Sequence, residues 1–323
     1  MLMAKLNNTD SGLVLLTLSP DMGGIKIIDA IRNANAEHTI IVTYDPDDHD
    51  SDVLVQALEM GAYECAEVPE QIHGRGYKEF RLHLLTVIGL LRTRKRFSTR
   101  PDTAYKNKFF MPEKKEGKPL KKKRVLPKVP VGRFDIIAIA SSTGGPEILT
   151  QIFSILPGNL KVPILLVQHI PRDMTRYFAK SLNEKSELNI FQASHGDEIL
   201  PSNVYLAPGG EHMTVSAPDF QGRRQIYLNQ NPPVNGVRPS ADILFESIAR
   251  SYNGKILAVV LTGMGEDGKN GVAQMKKTGC VCITQTARSC VVYGMPRAID
   301  EAGLSDEQLD PLSITQKIVM AGQ

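Results

Sequence analysis

Short apolar runs alternate along this chain with longer stretches whose apolar residues recur every three to four positions, the signature of strands alternating with amphipathic helices. LVLLTL (13–18) and TIIVT (39–43) have strand length, and GGIKIIDAIRNANA between them has helical spacing. SDVLVQALEM predicts a second helix, with Gly61 as its stop, a short strand after it and Pro69 closing that strand. Phe80, Leu84, Val87, Ile88 and Leu91 fall on one face of a further helix. The predicted order of this first part is βαβαβα.

The pattern lapses from Arg92 to about Arg133, where RTRKRFSTRPD, EKKEGKPLKKKR and several prolines follow one another. Like charge keeps such a segment solvated, and a linker is the simpler reading. KPLKKKR is also the kind of run that meets an anionic partner or directs nuclear import. Beyond it the strand-length runs FDIIAIA, VPILLVQ, NVYLAP, RQIYLN, KILAVVLT and CVCITQ are interleaved with the helical stretches PEILTQIFSIL, ADILFESIARSY and NGVAQMKKTG. This predicts an α/β fold, a doubly wound and mostly parallel sheet covered on both faces. The chain divides on this reading into residues 1–91, 92–132 and 133–323.

Composition narrows the class. The 323 residues suffice for about two domains. A formal charge of +3, concentrated in the linker, is too small to argue nucleic-acid binding. Cys65, Cys280, Cys282 and Cys290 form no CxxC pair and no disulfide-like framework, which points to a reducing cytoplasm. Cys280 and Cys282, two apart in an apolar run, read as buried packing. No apolar stretch reaches the roughly 18 to 20 residues of a membrane span, and MLMAKLNNTDSG lacks the pattern of a signal peptide.

In open parallel sheets, ligands bind beyond the carboxyl ends of the strands. The first strand after the linker delivers Ser141, Ser142 and Thr143 there, the second Gln168 and His169, and KILAVVLT leads into GMGEDG with Glu266 and Asp267. A hydroxyl, an imidazole and a carboxylate emerging at one edge are the inventory of nucleophilic acyl transfer. Each has a plainer use. A Ser-Thr-Gly-Gly turn also caps a helix or holds an anion, a histidine after a strand also packs in a loop, and an acid in a glycine-rich loop also caps. The phosphate reading lacks a P-loop lysine, and neither GxGxxG nor the GxSxG elbow is present.

The blocks SSTGGPE, VQHIP, VYLAPGGEHM, PPVNGVRPSAD, LTGMGEDGKNG and VVYGMPRAI, spread over about residues 135–314, together resemble the chemotaxis-specific methylesterase family (CheB). That resemblance implies hydrolysis of glutamate γ-methyl esters on the cytoplasmic helices of methyl-accepting chemoreceptors, often with deamidation of receptor glutamines. It implies Ser142 as nucleophile, His169 as base and Asp267, rather than Glu266, as the orienting acid. The expected oxyanion donors are the amides of Thr143 and Met264, with Gly144 and Gly265 letting the backbone approach. Arg172, His212 and Arg238 are expected to support the site or dock an acidic receptor helix. No cofactor and no metal are expected, and neither nucleic-acid binding nor membrane insertion. Thr286 and Ala287 stand where the family usually has acidic residues.

Residues 1–91 resemble a flavodoxin-like response-regulator receiver, shortened and degenerate. Thr17 occupies the position of the phospho-accepting aspartate, so no phosphoacceptor is expected. Val68 replaces the lysine before the closing proline, and the early acidic pair that holds Mg²⁺ has no counterpart before residue 13. A sheet shortened in this way has an exposed edge, which predicts self-association or docking on the second domain. Three other readings remain at this point: a catalytically idle docking protein, a nucleotide-binding regulator that uses the SSTGG loop for phosphate, and an esterase acting on a receptor outside chemotaxis.

Overall fold

The computed structural model describes residues 12–18, 24–34, 38–70, 74–97, 134–253 and 255–323. The basic stretch from 98 to 133, read as linker, lies outside them, as do residues 1–11. Among the described residues, one compact unit joins those up to Val68 to those from Phe134 onward, and those between Pro69 and Phe97 belong to another. In that second unit, α3 (Arg75–Phe97) extends the amphipathic helix past the expected start of the linker.

In the N-terminal part, β1 (Leu13–Thr17), β2 (Thr39–Tyr44) and β3 (Glu64–Glu67) form a parallel sheet in the order β1-β2-β3. Helices α1 (Gly24–Ala34) and α2 (Ser51–Glu59) are its crossovers. Asp50 caps α2, its carboxylate accepting from the Asp52 amide, which explains why the helix begins where it does. β1 is an edge strand, and its Leu13 and Leu15 are exposed.

The larger part is a parallel sheet of β4 (Ile136–Ser141), β5 (Ile164–Gln168), β6 (Asn189–Gln192), β7 (Asn203–Leu206), β10 (Ile256–Val260), β11 (Val281–Gln285) and β12 (Glu307–Leu309). Their order is β12-β11-β10-β4-β5-β7-β6, every neighbouring pair parallel. The chain leaves β4 first to one side and later to the other, so the switch point of the winding lies at β4. All six residues of β4 are buried, the continuous apolar run expected of a central parallel strand. Ile136, Ala138 and Ala140 face one layer, with Leu244, Phe245 and Ile248 of α6 (Ala241–Ser251), Val272 and Met275 of α7 (Lys269–Lys277) and Met295 and Ile299 of α8 (Met295–Glu301). Burying side chains of this size stabilises the fold by about 1.5–3 kcal/mol each. The opposite face is covered by α4 (Gly145–Phe153), α5 (Arg172–Lys185) and α9 (Pro311–Gly322).

RQIYLN does not join the main sheet. Its residues form β9 (Ile226–Asn229), paired antiparallel with β8 (His212–Val215) in a separate two-stranded sheet. Cys280 and Cys282 lie in the same apolar layer as α6 and α7. Burial pushes the Cys280 thiol up to about 12, leaving it protonated and unreactive.

The N-terminal sheet docks on the larger part through α2. Glu59, at the end of α2, is almost fully buried and accepts hydrogen bonds from Thr150 of α4 (3.1 Å) and from Ser181 (2.9 Å) and Lys185 (2.5 Å) of α5. His49 Nε2 meets Asp173 Oδ2 at 2.8 Å, at the first turn of α5. Docking on the second domain was one of the two outcomes expected of the exposed edge, although α2, not β1, makes the contact.

Candidate active site

Register brings the first two chemical groups together. Ser141 of β4 is opposite Gln168 of β5, and the His169 amide donates to the Ser141 carbonyl at 3.1 Å. One residue further on, Ser142 and His169 leave the sheet side by side. On the other side of β4 the Ser142 amide donates to Thr262 O at 3.0 Å, which sets the loop after β10 beside the same turn. Gly263 in that loop approaches so closely that a Cβ there would lie 2.7 Å from the Ser142 Cβ. The turn is equally crowded from outside. Gly144 has φ +75°, and a Cβ on it would lie 2.4 Å from Val291. Gly265 has room around it but a φ of +85°, so there the requirement is conformational.

The third group is Asp267. Its Oδ2 lies 2.9 Å from His169 Nε2, leaving Nδ1 as the ring nitrogen that can take a proton. Asp267 also accepts from Ser240 Oγ (2.7 Å) and from the amides of Ala241 (2.7 Å) and Asp242 (3.1 Å). It therefore caps α6 from outside that helix, while the N-cap hydroxyl of Ser240 turns onto Asp267 rather than onto its own helix. Burial works against ionising Asp267, but the bonds from His169, Ser240 and Ala241 together hold its carboxyl below the ordinary range. Its neighbour Glu266 is exposed and paired with Lys269 at 2.7 Å. The two adjacent acids are thus separated by their surroundings.

A second acid answers the first. Asp242, in the first turn of α6, accepts from the Gly271 amide at 2.8 Å and so caps α7, the helix that follows Asp267. Burial raises its carboxyl, the Gly271 amide opposes that rise, and the Asp267 charge adds to it. Asn235 Nδ2 reaches both acids, Asp242 Oδ2 at 3.0 Å and Asp267 Oδ1 at 3.4 Å. Asn235 and Gly236 form the tip of a tight turn, with φ of +54° and +77° and paired bonds between Val234 and Val237. That is the geometry an Asn-Gly pair favours. Sequence reasoning missed Asn235, Ser240 and Asp242 as parts of the site, although VNGV is a readable turn signal.

Thr143 and Met264 stand on the two facing loops, and among the described residues their amides donate to no protein acceptor. The carbonyls before them are fixed. Ser142 O accepts from Gly145 N (2.8 Å) and Gln168 Nε2 (2.9 Å), and Gly263 O from Gly294 N (3.1 Å) and Met295 N (2.9 Å).

The three expected docking residues divide. Arg172 is exposed, and among the described residues its side chain forms no hydrogen bond. Arg238 is half-buried and donates through Nη1 to the carbonyls of Gln230 (2.9 Å) and Asn231 (3.0 Å), so it braces its own loop. His212 is not a surface residue: it is buried, its Nδ1 accepts from the Ser240 amide (3.2 Å) and its Nε2 donates to Pro232 O (3.1 Å). The core face of β8 takes it out of reach of a partner, and it supports the segment that carries Ser240. Among the described residues no group of acids, histidines and cysteines could hold a metal ion, and no helix is long and apolar enough to cross a membrane.

A doubly wound parallel sheet with hydroxyl, imidazole and carboxylate at its switch point defines an α/β protein with the means for hydrolytic chemistry. The particular family follows from comparison with known proteins: residues 137–318 match the CheB methylesterase family model, and the chain belongs to that family. It is 33% identical to a protein-glutamate methylesterase/protein-glutamine glutaminase of Desulfotalea psychrophila, over 98% of this chain and 86% of that one. A protein of the same name from Symbiobacterium thermophilum is 44% identical over 58% of this chain and 50% of its own. The crystal structure of the Thermotoga maritima CheB methylesterase catalytic domain superposes with a TM-score of 0.56 at 38% identity, covering 58% of this chain and 98% of that one.

Proposed function

We propose that this chain is a protein-glutamate methylesterase that hydrolyses glutamate γ-methyl esters on chemoreceptor cytoplasmic helices, and glutamine side chains there by the same route, in the cytoplasm. Ser142 Oγ attacks the ester carbonyl while His169 takes its proton at Nδ1, and Asp267 holds the imidazole through Nε2. Methanol leaves with that proton, and a water activated by His169 then hydrolyses the acyl-enzyme. The observation that carries this reading is the 2.9 Å contact between a buried, fully hydrogen-bonded Asp267 and His169, which directly follows the strand paired with that of Ser141.

The amides of Thr143 and Met264 are the oxyanion donors. A trans peptide directs its N–H opposite its C=O. With the carbonyls of Ser142 and Gly263 each held by two donors, both amides are aimed before substrate arrives. Residues 1–91 are a receiver-like regulatory part without a phosphoacceptor. The hydroxyls of Thr17 and Thr43 pair at 2.9 Å.

Replacing Ser142 with alanine is expected to lower methanol release from methylated receptor fragments by about three orders of magnitude or more. Release at the parent rate would overturn the nucleophile assignment.

A further inference from the structure

Gln168 ends β5 with its side chain almost fully buried, 1% exposed, in a position where an apolar residue would satisfy the core. A buried primary amide needs partners for one acceptor and two donor hydrogens. It has them. Oε1 accepts from Ser141 Oγ at 2.6 Å, and Nε2 donates to Ser142 O at 2.9 Å and to His169 O at 3.0 Å. The carbonyls of Ser142 and His169 fix the sense of the amide, because the reverse orientation would set Oε1 against both, and Ser141 supplies the donor that Oε1 then needs. Gly145 leaves room for it: a Cβ there would lie 2.1 Å from Oε1 and 3.0 Å from Ser141 Oγ.

We propose that Gln168, oriented by Ser141, is a positioning residue that ties the nucleophile turn to the histidine strand and aims an oxyanion donor. The inference rests on the reading of Ser142 as nucleophile and His169 as base. One amide group grips the main chain of both residues, adding a buried side-chain link to the strand register that sets them side by side. Its bond to Ser142 O also turns that peptide inward, which directs the Thr143 N–H to the opposite side, where the carbonyl oxygen of an attacked ester carries its charge. Ser141 acts at one remove, by donating to the Gln168 amide.

The test uses the full chain and a fluorophosphonate probe, with the labelled residue located by mass spectrometry. Gln168→Met is expected to slow labelling of Ser142 by about 10- to 100-fold, below the roughly 10²–10³ of losing an oxyanion donor outright. The kcat for methanol release should fall alongside, with KM within about twofold of the parent. Ser141→Ala should slow labelling less, and the double variant should be no slower than Gln168→Met alone, because the two act as one unit. Labelling within about twofold of the parent, or effects of the two substitutions that multiply, would overturn the proposal. Should Gln168→Met fail to fold, Ser141→Ala decides alone: slower labelling at an unchanged melting temperature supports the clamp, and unslowed labelling overturns it. An unmodified chain that takes no label at Ser142 would remove the nucleophile reading and the clamp together. Labelling without methanol release would remove only the substrate reading.

Discussion

Asp267 carries two duties at once, and its surroundings state them in opposite terms to those of Asp242. Asp267 is held below the ordinary carboxylate range, so its contribution to stability is complete above the unfolded value of about 3.9 and is lost as the pH falls through its folded value. Asp242 is held above that range, so ionising it costs the folded state stability as the pH rises from about 3.9 toward its folded value. Asp267→Asn is therefore expected to lower kcat by about 10³- to 10⁴-fold. It should also leave a stability deficit that is largest near neutral pH and narrows below pH about 4. Urea denaturation between about pH 3 and 7 measures the deficit, and one constant across that range would contradict the assignment. At this scale the sequence showed the residues with reactive side chains, because three strand ends pointed one way. It placed Gln168 at that edge without a role, and it did not show Ser240 or Asp242 at all. Their importance comes from hydrogen bonds that only register and helix placement create.

Asp267, just before α7, caps α6, while Asp242 in the first turn of α6 caps α7, and the two helices touch closely at Gly271. A Cβ on Gly271 would lie 2.5 Å from that of Phe245, so Gly271 serves both the crossing and the cap. Asp242→Ala orphans the buried Gly271 amide and is expected to cost about 1–2 kcal/mol. A urea midpoint shift at unchanged slope would measure it, and an unshifted midpoint would show that α7 does not depend on this cap. The strands and helices with strong periodicity were legible in advance, from FDIIAIA through CVCITQ. Helix α5 was not read, although Met174, Phe178 and Leu182 repeat at its buried face, because Arg176, Lys180 and polar neighbours break up the apolar run between them. Strands β6 and β12 are four and three residues long, and the edges of the sheet rather than their own sequence make them strands.

Across the whole molecule, α2 rests on the two helices that lead away from the nucleophile and the histidine. Glu59 is the centre of that contact, receiving Thr150 from α4 and Ser181 and Lys185 from α5. Glu59→Ala is expected to loosen the N-terminal part by about 1–3 kcal/mol, since a charged acceptor with three donors is lost. Faster limited proteolysis within residues 12–68 at unchanged protection of 134–323 would register it, and equal protection of both would count against α2 as the anchor. No pattern in the sequence announced this contact, since a lone glutamate at the end of a helix reads as solvated until its partners are in place. The reciprocal caps also bear on how such a protein could change over generations. Ser142 is held through its main chain, which any residue supplies, so a lineage that abandoned catalysis could lose its hydroxyl freely. Asp267 pins the start of α6 and the loop opposite, so the same lineage would keep its acid long after its nucleophile had gone. An idle descendant would be recognised by a missing serine beside an intact aspartate.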